Sequence, residues 1–265
     1  MKSLSLILIF CVVSSLRSSL LSAQETKTGV SAFSSDGGTR KLVHWDDFDA
    51  DLSQWVVEQA PAGTTRVEDG KLVINDAKGC TVWFREKLDG AIMIEYEATM
   101  IEDGGKNDRV SDLNCFWMAV DPENPEDIFA NKERGGVFKN YHPLRLYYVG
   151  YGANNNTTTR FRRYPGGGER PVLPEHDLRD KKFLHTPNKK ITIQIICDGE
   201  TIRYLRDGEI VFDFRDKAPF TEGWFGFRTV RNHMAIDNFR VYRLRPQETH
   251  GKNQKGTDQR TPESD

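Results

Sequence analysis

The sequence lacks the long apolar runs of membrane proteins and the excess of basic residues that is typical of nucleic-acid-binding proteins. After residue 23 no apolar run approaches the roughly 20 residues that a helix needs to cross a bilayer, so we expect no membrane span. Lysine plus arginine (37) nearly balance aspartate plus glutamate (39), and the formal net charge is −2. Proteins that act mainly on nucleic acid usually have a basic surface, so this balance argues against nucleic acid as a partner.

Cysteine is also scarce. The chain has four cysteines, of which Cys80, Cys115 and Cys197 follow the N-terminal apolar segment. Three cysteines allow one intrachain disulfide at most, and the apolar, strand-like surroundings of all three indicate buried free thiols. The sequence has neither a Cys-x-x-Cys pair nor a His-x-x-x-His spacing that would indicate zinc.

The N-terminal residues have the composition of a targeting signal. Residues 1–23 combine a basic start at Lys2, a short apolar run and a small residue at Ala23. This pattern is typical of a secretory signal peptide, since the apolar run is too short for a membrane span. We therefore expect a secreted protein, either periplasmic or extracellular.

The rest of the chain divides into one domain with polar flanks. Residues 24–40 are rich in serine, threonine and glycine and are interpreted as a flexible linker. Residues 247–265 contain no large apolar side chain and are interpreted as a disordered tail. The residues between these flanks, 41–246, are enough for one domain with a sizeable core.

Within this domain no amphipathic helix of any length is evident. Short apolar or alternating runs dominate, such as residues 71–74 and 191–196, and turns containing glycine and aspartate separate them. Residues 206–209 contain Asp-Gly, which favours a tight hairpin. Many short strands predict an all-β sandwich or jelly roll. Two longer segments, 120–143 and 165–190, are expected to carry the binding surface.

One segment gathers most of the groups that suit a sugar. Residues 147–164 are rich in tyrosine, asparagine, threonine and arginine. Aromatic faces suit a sugar ring, and guanidinium groups suit a carboxylate. The two-residue period of a strand places Arg160, Arg162 and Tyr164 on one face, and places Asn114 on the face of another strand opposite its core positions. Either these residues recognise an acidic sugar, or the arginines lie on a solvated face and pair with local acids.

Several blocks resemble a known family. The strands around residues 46–55 and 222–242 resemble the opening and closing strands of concanavalin A-like lectin and glucanase jelly rolls. More distinctive blocks resemble secreted bacterial proteins related to the YesU-like proteins, found beside enzymes of pectin and rhamnogalacturonan degradation; these blocks are residues 112–119, 147–164, 173–178 and 228–234. The resemblance implies a concanavalin A-like jelly roll of two antiparallel sheets and a carbohydrate setting. It supplies no catalytic residues.

The candidate site residues come from these patterns. A proton could be transferred by His176, by His233 or by Tyr148, and both histidines lie in predicted loops. The substrate-binding candidates carry amide, phenol or guanidinium groups; they are Asn114, Tyr151, Asn156, Arg160, Arg162, Tyr164 and Arg228. Structural roles remain open for all of them. The asparagines at 154–156, for instance, also suit a turn with left-handed backbone geometry.

The chemistry of an acidic glycan separates two kinds of enzyme. A retaining glycosidase needs two carboxylates about 5–5.5 Å apart, and the Glu-x-Asp-x-x-Glu pattern of the glucanases is absent. Glu95 and Glu97 share a strand face, which solvent exposure explains more simply. A lyase must neutralise a uronate carboxylate and remove a neighbouring proton, and the candidate residues include the types that do so.

We therefore predict a lyase-type enzyme that degrades an acidic polysaccharide, in preference to a glycoside hydrolase. The alternatives are a non-catalytic carbohydrate-binding module and a structural adhesion domain. The expected partner is an acidic polysaccharide or oligosaccharide.

A structural calcium ion is a further expectation from the resemblance. Jelly rolls of this kind often hold one ion between the first and last strands, bound by carboxylate and carbonyl oxygens. Asp47 and Asp237 fall at suitable positions to be its ligands. Capping and turn roles are the alternative for both.

Overall fold

The computed structural model describes residues 30–32 and 39–245. The predicted signal peptide (1–23) and the predicted tail (247–265) lie outside the described residues, as does most of the predicted linker. Within that linker, however, residues 30–32 form a strand that pairs with residues 39–41. None of the helices in the described ranges is long and apolar enough to cross a membrane.

Strands account for most of the described chain. They are β1 (Val30–Ala32), β2 (Thr39–Asp46), β3 (Trp55–Gln59), β4 (Thr64–Glu68), β5 (Lys71–Asp76), β6 (Cys80–Phe84), β7 (Leu88–Asp89), β8 (Ile92–Met100), β9 (Leu113–Val120), β10 (Arg145–Gly152), β11 (Thr158–Pro165), β12 (Asp177–Leu178), β13 (Lys190–Asp198), β14 (Thr201–Arg206), β15 (Glu209–Arg215), β16 (Glu222–Thr229) and β17 (Asn232–Arg245). Short 3₁₀ turns span Ile128–Ala130, Phe138–Tyr141, Pro174–His176 and Lys181–Phe183, and one further turn spans Ala153–Asn156.

The strands form two antiparallel sheets, which confirms the predicted all-β sandwich. The first sheet has the order β1-β2-β17-β8-β13-β14-β15, with β5 also paired to β17 and β4 paired to β5. The second sheet has the order β12-β11-β10-β9-β16-β6-β3, and β7 pairs with β16. Consecutive strands often lie in different sheets, as in a jelly roll.

The main core lies between the two sheets. Apolar side chains alternate into it from both sides, and Trp55 packs against Phe227 and Phe239 with ring centroids 5.4 and 4.9 Å apart. The three cysteines lie in this core as free thiols, as predicted. Burial raises the pKa of each thiol to about 12. They therefore act as small apolar side chains.

A second apolar cluster covers the outer face of the second sheet. Segment 121–144 folds over that face, so it is a packed cover rather than a free loop. The cluster includes Trp83, Phe116, Tyr148, Tyr164 and Trp224 from the strands, and Ile128, Phe129, Phe138 and Tyr141 from the cover. This cover leaves open the part of the face nearest β11.

One prediction from strand alternation was wrong. The two-residue period places Met118 on the face of Asn114, and Ala119 in the core. In the structure Met118 has a φ of 49°, and the pairing of β9 with both of its neighbours shifts register at this point. Met118 therefore packs in the core, and Ala119 packs on the outer face. A bulge adds one residue to a strand and reverses the faces that follow.

Candidate functional site

A cavity of about 450 Å³ opens on the outer face of the second sheet, over β9, β10 and β11. Most of the residues that line it have polar side chains; the lining residues are Arg109, Asp112, Asn114, Phe138, Tyr148, Gly150, Ala153, Asn154, Asn155, Arg160, Arg162, Tyr164, Arg170 and Val230. The volume falls within the range of small-molecule sites, about 300–1,000 Å³. We call it the arginine cavity.

Strand register explains the composition of this cavity. Residues paired across the second sheet form a polar row, which runs Glu58, Thr81, Arg228, Asn114, Gly150, Arg160 and Asp177. Gly150 lies in the middle of the row, and a Cβ there would lie 2.5 Å from the hydroxyl of Tyr148. The missing side chain leaves room for the cavity between Asn114 and Arg160.

Arginine dominates the charge of the cavity, but the arginines differ in their partners. Arg109 pairs with Asp112 at 2.5 Å. Arg160 is held by Asp177 through two bonds, Nε to Oδ1 at 2.8 Å and Nη2 to Oδ2 at 3.1 Å. The Arg160 guanidinium also holds the pKa of the Asp177 carboxyl below its usual value. Both arginines are thus neutralised within the protein.

Arg162 and Arg170 lack such neutralisation. Arg162 donates to the main-chain carbonyl of Arg170, and Arg170 lies over the ring of Phe138 at 5.7 Å. Within residues 39–245 neither guanidinium forms a salt bridge. Two positive charges therefore face the cavity without a carboxylate partner.

Arg228 lies behind the cavity rather than in its wall. Its side chain is fully buried between Phe138 and Tyr141, at 5.2 and 5.0 Å from the ring centroids, and Nη1 donates to the carbonyl of Gly136 at 2.7 Å. Burial lowers the pKa of Arg228. The prediction that Arg228 contacts substrate is not supported, because Phe138 covers it. It supports the Phe138 wall.

Two polar atoms at the cavity have no hydrogen-bond partner among the described residues. They are the Asn114 side-chain oxygen and the Tyr164 hydroxyl, and both are buried. Buried polar atoms are nearly always hydrogen-bonded in folded proteins. Both residues belong to the lining of the cavity, so these two unpartnered atoms lie next to it.

The asparagine run forms a left-handed turn at the rim. Asn154, Asn155 and Asn156 have φ values of 55°, 60° and 57°, a conformation that asparagine tolerates better than most residues. Asn154 and Asn155 line the cavity. Asn156 instead bonds the main chain of His185 through both side-chain atoms, at 2.9 and 3.1 Å. Its predicted contact with substrate is therefore corrected to a structural role.

Three other predicted site residues lie away from the cavity. Tyr151 is fully buried between the sheets, where its hydroxyl accepts from Arg206 at 2.9 Å. His176 is 7% exposed and packs edge-on against Phe161 at 5.0 Å. His233 lies on β17 of the first sheet, with Nδ1 2.9 Å from the Asp108 carboxylate. Neither histidine lines the arginine cavity.

The structure thus brings together Asn114, Tyr148, Arg160, Arg162 and Tyr164 and adds residues that sequence reasoning did not select. The sequence contained a signal for Asp112, because the two-residue period of a strand places it on the same face as Asn114. It contained none for Arg109 and Phe138, because they come from irregular segments whose direction follows no period.

The carboxylates proposed for calcium have other partners. Asp47 pairs with Arg240 at 3.0 Å, and Asp237 accepts from the main-chain N–H of Asn238 at 2.7 Å. In the part of the chain that is described, no group of three or more His, Cys, Asp or Glu side chains is arranged to hold a metal ion. The structural calcium stays a prediction, and these two side chains fit the alternative capping and pairing roles.

His185 packs against the left-handed turn in its neutral form. A Cβ on Gly152, which has a φ of 61°, would lie 2.2 Å from the ring of His185, so the imidazole packs directly on the start of the turn. His185 Nε2 lies 3.2 Å from the carbonyl of Tyr151, to which it donates. Burial lowers the pKa of His185 from 6.5 to about 4.

We expect acid to destabilise the fold through this histidine. Between pH 6.5 and 4 the unfolded chain binds a proton that the folded chain does not, so the free energy of unfolding falls as the pH falls. The full shift corresponds to about 3 kcal/mol, and partial exposure of the ring reduces the expected loss to about 2 kcal/mol. Urea unfolding of the wild type and His185→Gln from pH 7 to 4 measures it. Identical pH slopes for the two proteins would contradict the assignment.

The two antiparallel sheets and their strand order define a concanavalin A-like, galectin-like jelly roll with a cavity on the outer face of one sheet. Residues 74–239 match the model of a family described as a domain of unknown function, DUF6250, and the chain belongs to that family. No curated protein matches the chain.

Solved structures share the fold at low sequence identity. A protein of unknown function with a galectin-like fold from Bacillus subtilis is 15% identical, with a TM-score of 0.62, covering 83% of this chain and 99% of that one. The Emp46p carbohydrate recognition domain is 13% identical (TM-score 0.52; 76% and 98% covered). An endo-β-1,3-glucanase from Pyrococcus furiosus is 11% identical (TM-score 0.50; 82% and 98% covered). At such identities the likeness shows the fold.

Proposed function

We propose that this protein binds an acidic carbohydrate in the arginine cavity. The observation that carries the proposal is the charge of the walls: Arg162 and Arg170 face the cavity, and no carboxylate in the described chain pairs with them. A ligand carboxylate would neutralise them through charge-assisted hydrogen bonds, which are stronger than neutral ones. The half-buried ring of Phe138 supplies aromatic surface beside them.

The relatives of the fold support a carbohydrate as the ligand. The names of two of them include a carbohydrate recognition domain and a glucanase. A fold alone does not determine function, so the charge and the aromatic surface of this cavity carry the specific part of the proposal. The setting in pectin or rhamnogalacturonan degradation, and secretion of the protein, stay predictions.

Binding without turnover is the function that the geometry supports best. The two histidines predicted to move protons are held elsewhere in the sandwich, and burial raises the pKa of both Tyr148 and Tyr164. These phenols therefore keep their protons at neutral pH. Each could donate a proton to a leaving oxygen, but neither suits the removal of a proton from the sugar.

A lyase is the second candidate, and one observation favours it. His142 packs edge-on against Phe138, with ring centroids 5.1 Å apart. Its pKa is lowered by burial and by the charges of Arg170 and Arg228, so the imidazole is neutral at pH 7. His142 contacts the Phe138 wall and does not itself line the arginine cavity, but a neutral imidazole near arginines is the kind of base that β-elimination from a uronate needs.

The proposal predicts selective binding of uronate polymers. We expect affinity gels containing rhamnogalacturonan, polygalacturonate or alginate to retain the protein, and gels containing neutral β-glucan to retain it less. Retention should weaken as salt is added, because salt screens the charged contacts. Equal retention on neutral and acidic gels, or retention on none of them, would contradict the proposal.

The same polymers separate binding from catalysis. A lyase creates unsaturated ends that absorb in the ultraviolet, whereas a binding module leaves absorbance and reducing ends unchanged. New absorbance that is lost in His142→Gln would establish the lyase and assign its base. Retention without new absorbance would establish the binding module.

A further inference from the structure

A second cavity of about 210 Å³ lies at the edge of the second sheet. Its lining is largely apolar; it is formed by Phe161, Arg162, Arg163, Pro165, Pro171, Leu173, His176 and Phe214. Of these residues, the proposed binding of an acidic sugar uses only Arg162. We call it the apolar cavity.

The end of the sheet explains why this cavity is open. The edge strand β12 pairs with β11 only at residues 159 and 160. From Phe161 onward β11 has no neighbouring strand on that side, and the chain that follows it returns to β12 without forming one. Leu173 in that returning segment is 44% exposed. The apolar lining therefore lacks the cover that a longer β12 would give.

The two cavities share a wall. Arg162 lines both the arginine cavity and the apolar cavity, while Arg160 lines only the first. Strand alternation produces this arrangement, since Phe161 points toward the inter-sheet core and Arg162 toward the outer face. Arg162 is thus the one side chain that the two linings have in common, so the two cavities are neighbours at this strand.

We propose that the apolar cavity binds an aromatic ring carried by the acidic sugar, as a glycosidic or ester substituent. This inference rests on the proposed function of the arginine cavity. An apolar cavity of about 150 Å³ is enough to hold benzene, so the volume suffices for one ring. Phe161 and Phe214, with ring centroids 5.3 Å apart, present aromatic surface to it, and aromatic pairs gain more than their buried area predicts.

The charge at the shared wall favours the same ligand. Arg162 is planar and can bond a carboxylate while it stacks on a ring, which a lysine cannot do. His176 lies at the other wall, and burial lowers its pKa so that it stays neutral. A ring placed between the two therefore meets the cationic face of Arg162 and the neutral ring of His176. The other charged residue in the lining is Arg163, and Asp216 neutralises its charge at 2.7 Å.

Matched small glycosides test this inference. Isothermal titration calorimetry would compare 4-nitrophenyl β-D-glucuronide with methyl β-D-glucuronide, which share the acid and differ in the ring. We expect the aromatic glycoside to bind about tenfold more tightly, consistent with burial of one ring. Leu173→Asn should abolish this advantage, because it places a polar, uncharged amide in the apolar cavity and leaves Arg162 without a competing carboxylate. The affinity for the methyl glycoside should not change, which shows that the variant is folded.

A neighbouring variant serves as the control. Val172 is exposed to a similar degree (37%) and lines neither cavity, so Val172→Asn should keep the tenfold advantage. Equal affinities of the wild type for the two glucuronides would overturn the inference and leave the proposed function intact. Loss of the advantage in both asparagine variants would also overturn it. Binding of neither glucuronide, together with no retention on the acidic gels, would overturn both proposals.

Discussion

Replacing Arg162 with alanine is expected to weaken the binding of acidic glycans by about 100-fold, and replacing Arg160 by much less. A hydrogen bond to a charged group contributes about 1.5–3 kcal/mol, and tenfold in affinity corresponds to about 1.4 kcal/mol. Arg162 has only a main-chain carbonyl as its partner in the described chain, so its charge is available to the ligand. Arg160 already donates two hydrogen bonds to the Asp177 carboxylate, which neutralises its charge.

The comparison needs a control for the loss of one positive charge. Arg179 pairs with the same Asp177 at 3.1 Å, is 64% exposed and does not line the cavity. Titration of rhamnogalacturonan oligosaccharides into Arg162→Ala, Arg160→Ala and Arg179→Ala measures the three effects at one salt concentration. Similar losses of affinity in all three variants would mean that the overall positive charge of this region attracts the ligand and that Arg162 makes no direct contact with it. An equal loss for neutral glycans would mean that Arg162 is structural.

Strand alternation predicted the part of the site that lies on regular strands. Asn114, Arg160, Arg162 and Tyr164 meet in one cavity because paired strands keep their side chains in register. The same rule was wrong at Met118, where a bulge reverses the faces. No local pattern in the sequence marked that bulge, which is visible only in the pairing of β9 with its two neighbouring strands.

The sequence did not predict which sheet each strand joins or where the loops run, for a different reason. Alternation gives a face, but it does not tell which sheet a strand joins or where the loop after it runs. His233 and Asn114 are both polar residues in strands, yet they belong to different sheets. Tyr148 and Tyr151 are three residues apart, so the odd spacing sends one to the cavity and the other to the core. That separation was available from the sequence.

The Glu58 carboxylate is one of the groups that hold the cover over the second sheet. This side chain accepts from Arg134 at 2.8 Å, from the hydroxyl of Tyr141 at 2.6 Å and from the indole of Trp83 at 3.1 Å. Arg134 is only 1% exposed, and the other carboxylate near it, Asp121, lies 3.5 Å away. The bonds join strands of the sheet to segment 121–144, which carries Phe138 to the cavity.

We expect Glu58→Ala to lower the free energy of unfolding by about 3–5 kcal/mol, because removing one partner of a buried ion pair leaves the other charge uncompensated. Urea unfolding measures this loss, and titration of acidic oligosaccharides should show weaker binding as the Phe138 wall loses support. Glu123→Ala removes the same charge from an exposed position in the cover, so it should change stability by less than about 0.5 kcal/mol. A loss below about 1 kcal/mol in Glu58→Ala would show that Asp121 alone compensates Arg134, and that the cover is held by its apolar contacts.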